Sequence, residues 1–191
     1  QDGEYTTAGR HGHSFSKLDH NGTTLPDSAT EWSCIKDNVT NLTWEVKTDD
    51  SGLHDKDDRY NWYNTDATTN GGAVGYADDD GNICTGYNSS DATSYCNTEA
   101  YVARVNAAGL CGASDWYLPE REQLRTIVDY SRYNPSINQG YFPNTKSSYY
   151  WSSSPYANGS TYAWGVSFGN GSDSSGSKVN HLYVRLVRGG Q

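Results

Sequence analysis

Four cysteines, Cys34, Cys84, Cys96 and Cys111, restrict this chain more than any other residues do. No two of them form a C-x-x-C pair, and the nearest two have eleven residues between them. Zinc sites of the ribbon kind use tighter knuckles, so an even number at wide spacing reads as two disulfides. Disulfides persist in oxidising compartments, and the chain is therefore expected to be secreted or to sit on a cell surface. Four cysteines allow three pairings. The expected one is Cys84–Cys96, closing a loop rich in Gly, Asn and Ser, with Cys34–Cys111 joining the first strand region to the helical segment.

At 191 residues the chain suits one domain with a core of its own. Only 34% of it is hydrophobic, but 13% is aromatic, with 16 Tyr and 6 Trp. Disordered chains lack aromatics, so this one is expected to fold. No apolar run reaches the length of a membrane span, and no signal-peptide pattern is present, so no membrane insertion is expected. A chain that opens on Gln1 and has no Met reads as a mature or trimmed fragment. The formal charge is −9. Residues 151–191 hold Lys178, Arg185 and Arg188 against Asp173 alone, so the negative charge lies on the rest of the chain. Such a body repels nucleic acid and anionic membranes, which excludes both as expected partners.

Three stretches differ in character. Residues 1–31 are polar, with Tyr5, Phe15, Leu18 and Leu25 as their few anchors, and read as an extended N-terminal arm or linker. Residues 32–191 read as the domain proper. In "NLTWEVKT", Leu42, Trp44 and Val46 alternate with polar neighbours, the period of a half-buried strand. "YNWYN" around Trp62 is another anchor, and "DDSGLHDKDD" and "TTNGGAVGYADDDGN" read as loops. "TEAYVARVNAAGLCG" predicts a helix with Tyr101, Val102, Val105 and Ala108 on one face and Gly109 as its stop. "LPEREQLRTIVDYS" predicts a second, with Pro119 in its first turn and Leu124, Ile127 and Val128 inward.

From Tyr149 to Gly190 an apolar frame (Tyr150, Trp151, Trp164, Val166, Phe168, Val184, Leu186, Val187) is interleaved with Ser, Asn, Gly, Tyr and Asp. Here Trp151 and Trp164 are expected in the core, and Arg185 and Arg188 are expected to pair with carboxylates of the body. No nucleophile–base pattern, phosphate loop or H-E-x-x-H helix occurs, so no enzyme is expected, and no cofactor. Asp55 and Asp57, and Asp78 and Asp80, are the candidates for a calcium ion: the loop with Asp78 and Asp80 lacks the Asp-x-Asp-x-Asp-Gly spacing and the downstream Glu, and the loop with Asp55 and Asp57 offers an oxygen-only site or a solvated acidic loop. His11 and His13 offer two imidazoles in the arm.

"GLCGASDWYLPEREQLRTIVDY", "YFPNT", "YYWSSSP", "AWGVSFGNG" and "VRLVRGG" together resemble the C-terminal domain family of Legionella collagen-like adhesins (Lcl). "KLDHNGTTLPDSATEWSCIKDNVTNLTWEVKTDDSGLHDKD" resembles the N-terminal portion of bacterial secreted members, so the likeness spans residues 15–190. It implies an α+β, C-type-lectin-like fold, loop-rich and stapled by disulfides, with two helices packed on small twisted antiparallel sheets. It also implies an extracellular adhesion or ligand-binding module. The E-P-N or Q-P-D triplet and W-N-D segment of calcium-dependent sugar-binding lectins are missing. The final segment is similar as well to variable proteins of diversity-generating retroelements.

In such a fold the apolar frame would be core and the polar filling would face solvent. Tyr supplies rigid contact area, while Ser, Asn and Gly supply adaptable hydrogen bonds, the mixture found in antibody paratopes. The candidate ligand-binding residues are Tyr156, Asn158, Tyr162, Ser167, Asn170, Ser172, Asp173, Ser175, Lys178, Asn180, His181 and Tyr183. The expected partner is a cell-surface carbohydrate or protein. The alternative is a structural subunit of an extracellular filament or sheath, whose N-terminal arm docks on a neighbouring copy.

Overall fold

Short apolar and aromatic runs, broken by polar turns, pair into two separate antiparallel sheets. The computed structural model describes residues 12–78 and 81–190. The first sheet contains, in spatial order, β1 (Phe15–Leu18), β2 (Cys34–Asp37), β3 (Leu42–Glu45) and β7 (Val187–Gly189). The second contains β4 (Tyr149–Pro155), β5 (Tyr162–Ser167) and β6 (Asp173–Ser177). With helices α1 (Thr98–Ala108) and α2 (Arg121–Arg125), these make the expected α+β arrangement. The disulfides are Cys34–Cys111 and Cys84–Cys96, the expected pairing.

The stretch expected as an arm enters the first sheet. Its β1 pairs with β2, Phe15 opposite Asp37 and Leu18 opposite Cys34. Phe15 and Leu18 are buried, and so is Lys17. The Lys17 ammonium donates to the carbonyls of Asp27 and Ala29 and lies 3.9 Å from the Trp32 ring centre. Phe15–Leu18 are thus an edge strand of this domain, because their backbone groups pair with β2 while Phe15 and Leu18 pack into the two different core clusters. The first eleven residues, with Tyr5 and His11, lie outside the described residues.

Strand β3 departs from the expected half-buried pattern, since all of Leu42–Glu45 is buried. Leu42, Trp44 and Val46 join one core cluster, with α2 and the inner residues of β4 and β5. The opposite face carries Thr43, Glu45 and Lys47, which are covered rather than solvated. One Glu45 carboxylate oxygen accepts from the Lys47 ammonium at 3.1 Å, contacts His54 Nδ1 at 2.9 Å and receives the Tyr101 hydroxyl. The other accepts the Leu186 backbone N–H at 2.9 Å. Burial alone would raise the Glu45 carboxyl, but Lys47, His54 and Tyr101 outweigh it and hold the group well below the usual carboxylate range. Burial pushes the Lys47 ammonium down, with Glu45 offsetting only part of that.

Helix α1 begins at Asn97, whose side chain accepts the Ala100 N–H, and stops at Gly109 with φ +69°. Tyr101 and Val105 are fully buried, Val102 is half-buried, and Ala108 faces solvent, one turn short of the expected stripe. Helix α2 starts two residues later than expected. Glu120 is its cap residue, its N–H donating to Gln123 Oε1 at 2.9 Å, and Pro119 precedes the cap rather than opening the first turn. Leu124, Ile127 and Val128 do point inward. The second sheet separates two cores. Trp151 and Ala163 face the cluster around α1 and both disulfides, while Tyr150 and Val166 face the cluster around α2. Two of the buried indoles have their donors satisfied, Trp151 Nε1 by the Tyr60 carbonyl and Trp62 Nε1 by the Ser152 carbonyl, both at 2.8 Å, whereas Trp44 Nε1 finds no acceptor among the described residues.

Candidate ligand-binding face and cleft

Paired residues on neighbouring strands share a face, and residues two apart on one strand do as well. Trp164 lies opposite Ser175, and Tyr162 opposite Ser177, so these four form one patch on the β5–β6 hairpin. Val166, further along the same face, is sealed beneath α2, whereas Trp164 lies at the start of that short helix, under the Arg121 side chain, and is half-buried. Tyr156 packs edge-on against Trp164, ring centres 5.2 Å apart, and the Arg121 guanidinium sits 4.6 Å from the Trp164 ring centre. Arg121 also approaches Asp173 at 3.5 Å and donates to Glu122 at 2.8 Å. The arrangement is two exposed or half-exposed tyrosines, a held tryptophan, a stacked arginine and a serine strand, side chains suited to contact without burial.

This corrects the expectation that Trp164 belongs to the core, because it lies at the start of α2, under the Arg121 side chain rather than under the helix's apolar residues. Trp164→Ala should therefore cost only about 1 kcal/mol, against about 3–5 kcal/mol for Trp151→Ala, since Trp151 has no exposed surface. Chemical denaturation of the two variants checks this; equal losses would contradict the placement.

The twelve candidate residues do not form one surface. Tyr156, Tyr162, Asp173 and Ser175 gather at the patch, with exposed Asn158 in the turn between β4 and β5. Asn170 and Ser172 lie in the β5–β6 turn at the hairpin's other end, where Asn170 Oδ1 accepts the Ser172 N–H and hydroxyl. Asn180 is exposed and His181 half-buried just after β6. Three expectations of a solvent-facing side chain need correction. Ser167 is buried, its hydroxyl accepting the Gly169 N–H at 3.1 Å within the turn. Tyr183 leans on Tyr150, ring centres 5.5 Å apart, and packs against the core. Lys178 has no exposed surface: its ammonium donates to the Asn70 and Ala73 carbonyls at 2.8 and 2.6 Å and lies 4.0 Å from the Trp62 ring centre. Burial lowers its pKa. It serves as a clamp on the 70–73 loop, where a lysine reads in sequence like a surface charge.

The arginines divide as well. Arg188 pairs with Asp115, as expected. Arg185 instead donates to the Glu45 carbonyl at 2.7 Å and the Thr145 hydroxyl at 2.8 Å, wholly buried between Phe142 and Tyr150.

Beside the patch opens a cleft of about 630 Å³ that sequence reasoning did not find. Its walls come from four separate places: Tyr63, Asn64, Thr68 and Thr69; Thr98, Glu99 and Val102 of α1; Tyr117, Leu118 and Glu120; and Ser153–Pro155 of β4, with Trp62 at the floor. Glu99 is held by Thr65, which donates its N–H at 2.7 Å and its hydroxyl at 3.0 Å. The cleft and the patch meet at Ser154, whose hydroxyl accepts the Arg121 N–H at 3.0 Å. No local motif marks such a site, because its residues come from separate stretches scattered between Trp62 and Pro155 and each alone reads as an ordinary loop or helix residue.

The acidic loops are internally satisfied. Asp55 accepts the N–H groups of Asp50, Ser51 and Asp57 at 2.7 to 3.0 Å, which, after the opposing effect of burial, hold its carboxyl low. Asp57 pairs with Lys56 and Lys146, and Asp78 accepts the Tyr87 hydroxyl at 3.0 Å. Asp80 lies outside the described residues. Among the described residues no group of three or more His, Cys, Asp or Glu side chains is placed to hold a metal ion. No helix of the described residues is long and apolar enough to cross a membrane.

A model of the Lcl C-terminal domain matches residues 33–188. No curated protein and no solved structure matches the chain.

Proposed function

The chain belongs to the Lcl C-terminal domain family, and from that premise we propose that it is an extracellular binding module, not an enzyme. It recognises a cell-surface carbohydrate or protein through the β5–β6 patch. The observation that carries this reading is Trp164, a large side chain that the core leaves half open and that Tyr156 and Arg121 hold in place. Tyr, Trp and Arg are the residues that most often dominate binding surfaces, because they offer area and hydrogen bonds at small entropic cost. The two disulfides agree with an extracellular site of action. The filament reading is the weaker one, since Phe15–Leu18, part of its intended donor segment, already pair with the domain's own β2.

The test is a labelled domain on arrays of glycans and of extracellular-matrix proteins. The double variant Tyr162→Ser, Trp164→Ser should keep the parental melting curve to within a few degrees and lose at least tenfold in signal on whichever spots the parent binds. Parental binding by the double variant would remove the patch from the interaction. The Tyr150-facing Tyr183 is left unchanged, because its loss would disturb packing as well as contact.

A further inference from the structure

We propose that the cleft beside the patch holds one or two residues of an uncharged saccharide. This rests on the binding-module reading but on different side chains from those of the patch. Ligand pockets for small molecules span about 300–1,000 Å³, and 630 Å³ has room for a disaccharide. Aromatic and aliphatic walls (Tyr63, Tyr117, Val102 and Leu118) suit the C–H face of a pyranose ring. Hydroxyl groups at the ring's edge need acceptors, and the carboxylates of Glu99 and Glu120 provide charge-assisted ones. The hydroxyls of Tyr63 and Ser153 have no partner within the described chain and remain available to either role.

Charge decides between kinds of sugar. No Lys, Arg or His lines the cleft, so a uronate or sulfate would find two carboxylates on the walls and no cation within contact to pair with. A cationic ligand gains less than the two glutamates suggest. The α1 N-terminus beside Thr98 and Glu99 contributes about +0.5 of a charge. The Lys178 ammonium, 4.0 Å from the ring centre of the floor residue Trp62, contributes a further full charge nearby. With the formal charges close to balance, an uncharged ligand that only accepts and donates hydrogen bonds loses least on leaving water.

The experiment is a titration followed by amide spectra of the 15N-labelled protein at pH 7. The probes are methyl cellobioside, methyl lactoside and methyl mannobioside, with a glucuronate-containing disaccharide and the diamine cadaverine as charged comparisons. At least one neutral probe should shift the amides of Tyr63, Thr98 and Leu118, and the charged probes should bind at least tenfold more weakly. Tyr63→Phe and Glu120→Gln, which keep shape and cap geometry, should each weaken that binding severalfold, while Tyr133→Ser, at an exposed residue outside both cleft and patch, leaves it unchanged. No cleft shift with any neutral probe up to about 50 mM overturns the proposal, as does stronger binding by the uronate or the diamine. Shifts confined to Tyr162, Trp164 and Ser175 also overturn it, while leaving the patch reading in place, so the two failures are distinct.

Discussion

Glu45→Ala is expected to lower the unfolding free energy by about 3–5 kcal/mol, because it leaves the Lys47 ammonium buried without its counter-charge. The same change removes the acceptor of the Tyr101 hydroxyl and of the Leu186 N–H, in a region where neither can reach water. Glu45→Gln should cost less, since an amide oxygen still accepts one of these donors. Urea titrations at neutral pH check both, read as a fall in midpoint at unchanged slope. The pH dependence has a defined sign. The carboxyl is held below its unfolded value, so its contribution is complete above about pH 4.3 and is lost as pH falls below that. The gap between parent and Glu45→Ala should therefore narrow between pH 5 and the acid limb. A gap that stays constant down to pH 2 would mean that the ion pair adds nothing.

The second large effect is the loss of Cys34–Cys111. This bond ties β2 to the turn after α1 across 77 residues, against 12 for Cys84–Cys96. On the loop-entropy account the longer loop is worth about 4.5 kcal/mol and the shorter about 3 kcal/mol. The Cys34→Ala, Cys111→Ala variant should melt roughly 10–15 °C below the parent, given the few degrees per kcal/mol of a chain this size. The Cys84→Ala, Cys96→Ala variant should fall less far. Calorimetry under identical conditions orders the two, and a larger fall for the short loop would show that chain restriction is not the source.

What could be read from the residues follows a physical pattern. The disulfide pairing, α1 with its Gly109 stop, and the strand through Trp44 depend on local spacing and on a few residue types whose chemistry is narrow. Trp151 and Trp164 read as equivalent in sequence, yet they lie on opposite faces of the second sheet: Trp151 is sealed in the cluster around α1, while Trp164 sits at the start of α2 under the Arg121 side chain and stays half open. Glu45, Lys47, Lys178 and Arg185 all read as surface charges and are all buried. Their burial depends on partners contributed by distant segments: Tyr101 and Leu186 for Glu45, and backbone carbonyls for Lys178 and Arg185. Strand β1 has no readable period in its sequence, since Phe15 and Leu18 are three residues apart, and only pairing with β2 makes it a strand. Of the candidate binding residues, those with cross-strand partners on an open face gathered, while Ser167 and Lys178 turned inward to hold turns and loops.

The first sheet takes its last strand from the far end of the sequence. Trp44 pairs with Val187 and Thr43 with Arg188, and the Glu45–Leu186 hydrogen bond spans 141 residues. Closing so long a loop early is entropically costly, so this seam is expected to form late and the chain to fold slowly for its size. During synthesis β3 would wait with one edge open, its Glu45 and Trp44 still exposed to water, until Val187–Gly189 have emerged. The two halves of the first sheet are therefore held apart in time as well as in sequence: β1, β2 and β3 can pair with one another, but the seam that seals Trp44 and Glu45 waits for residues 186–189.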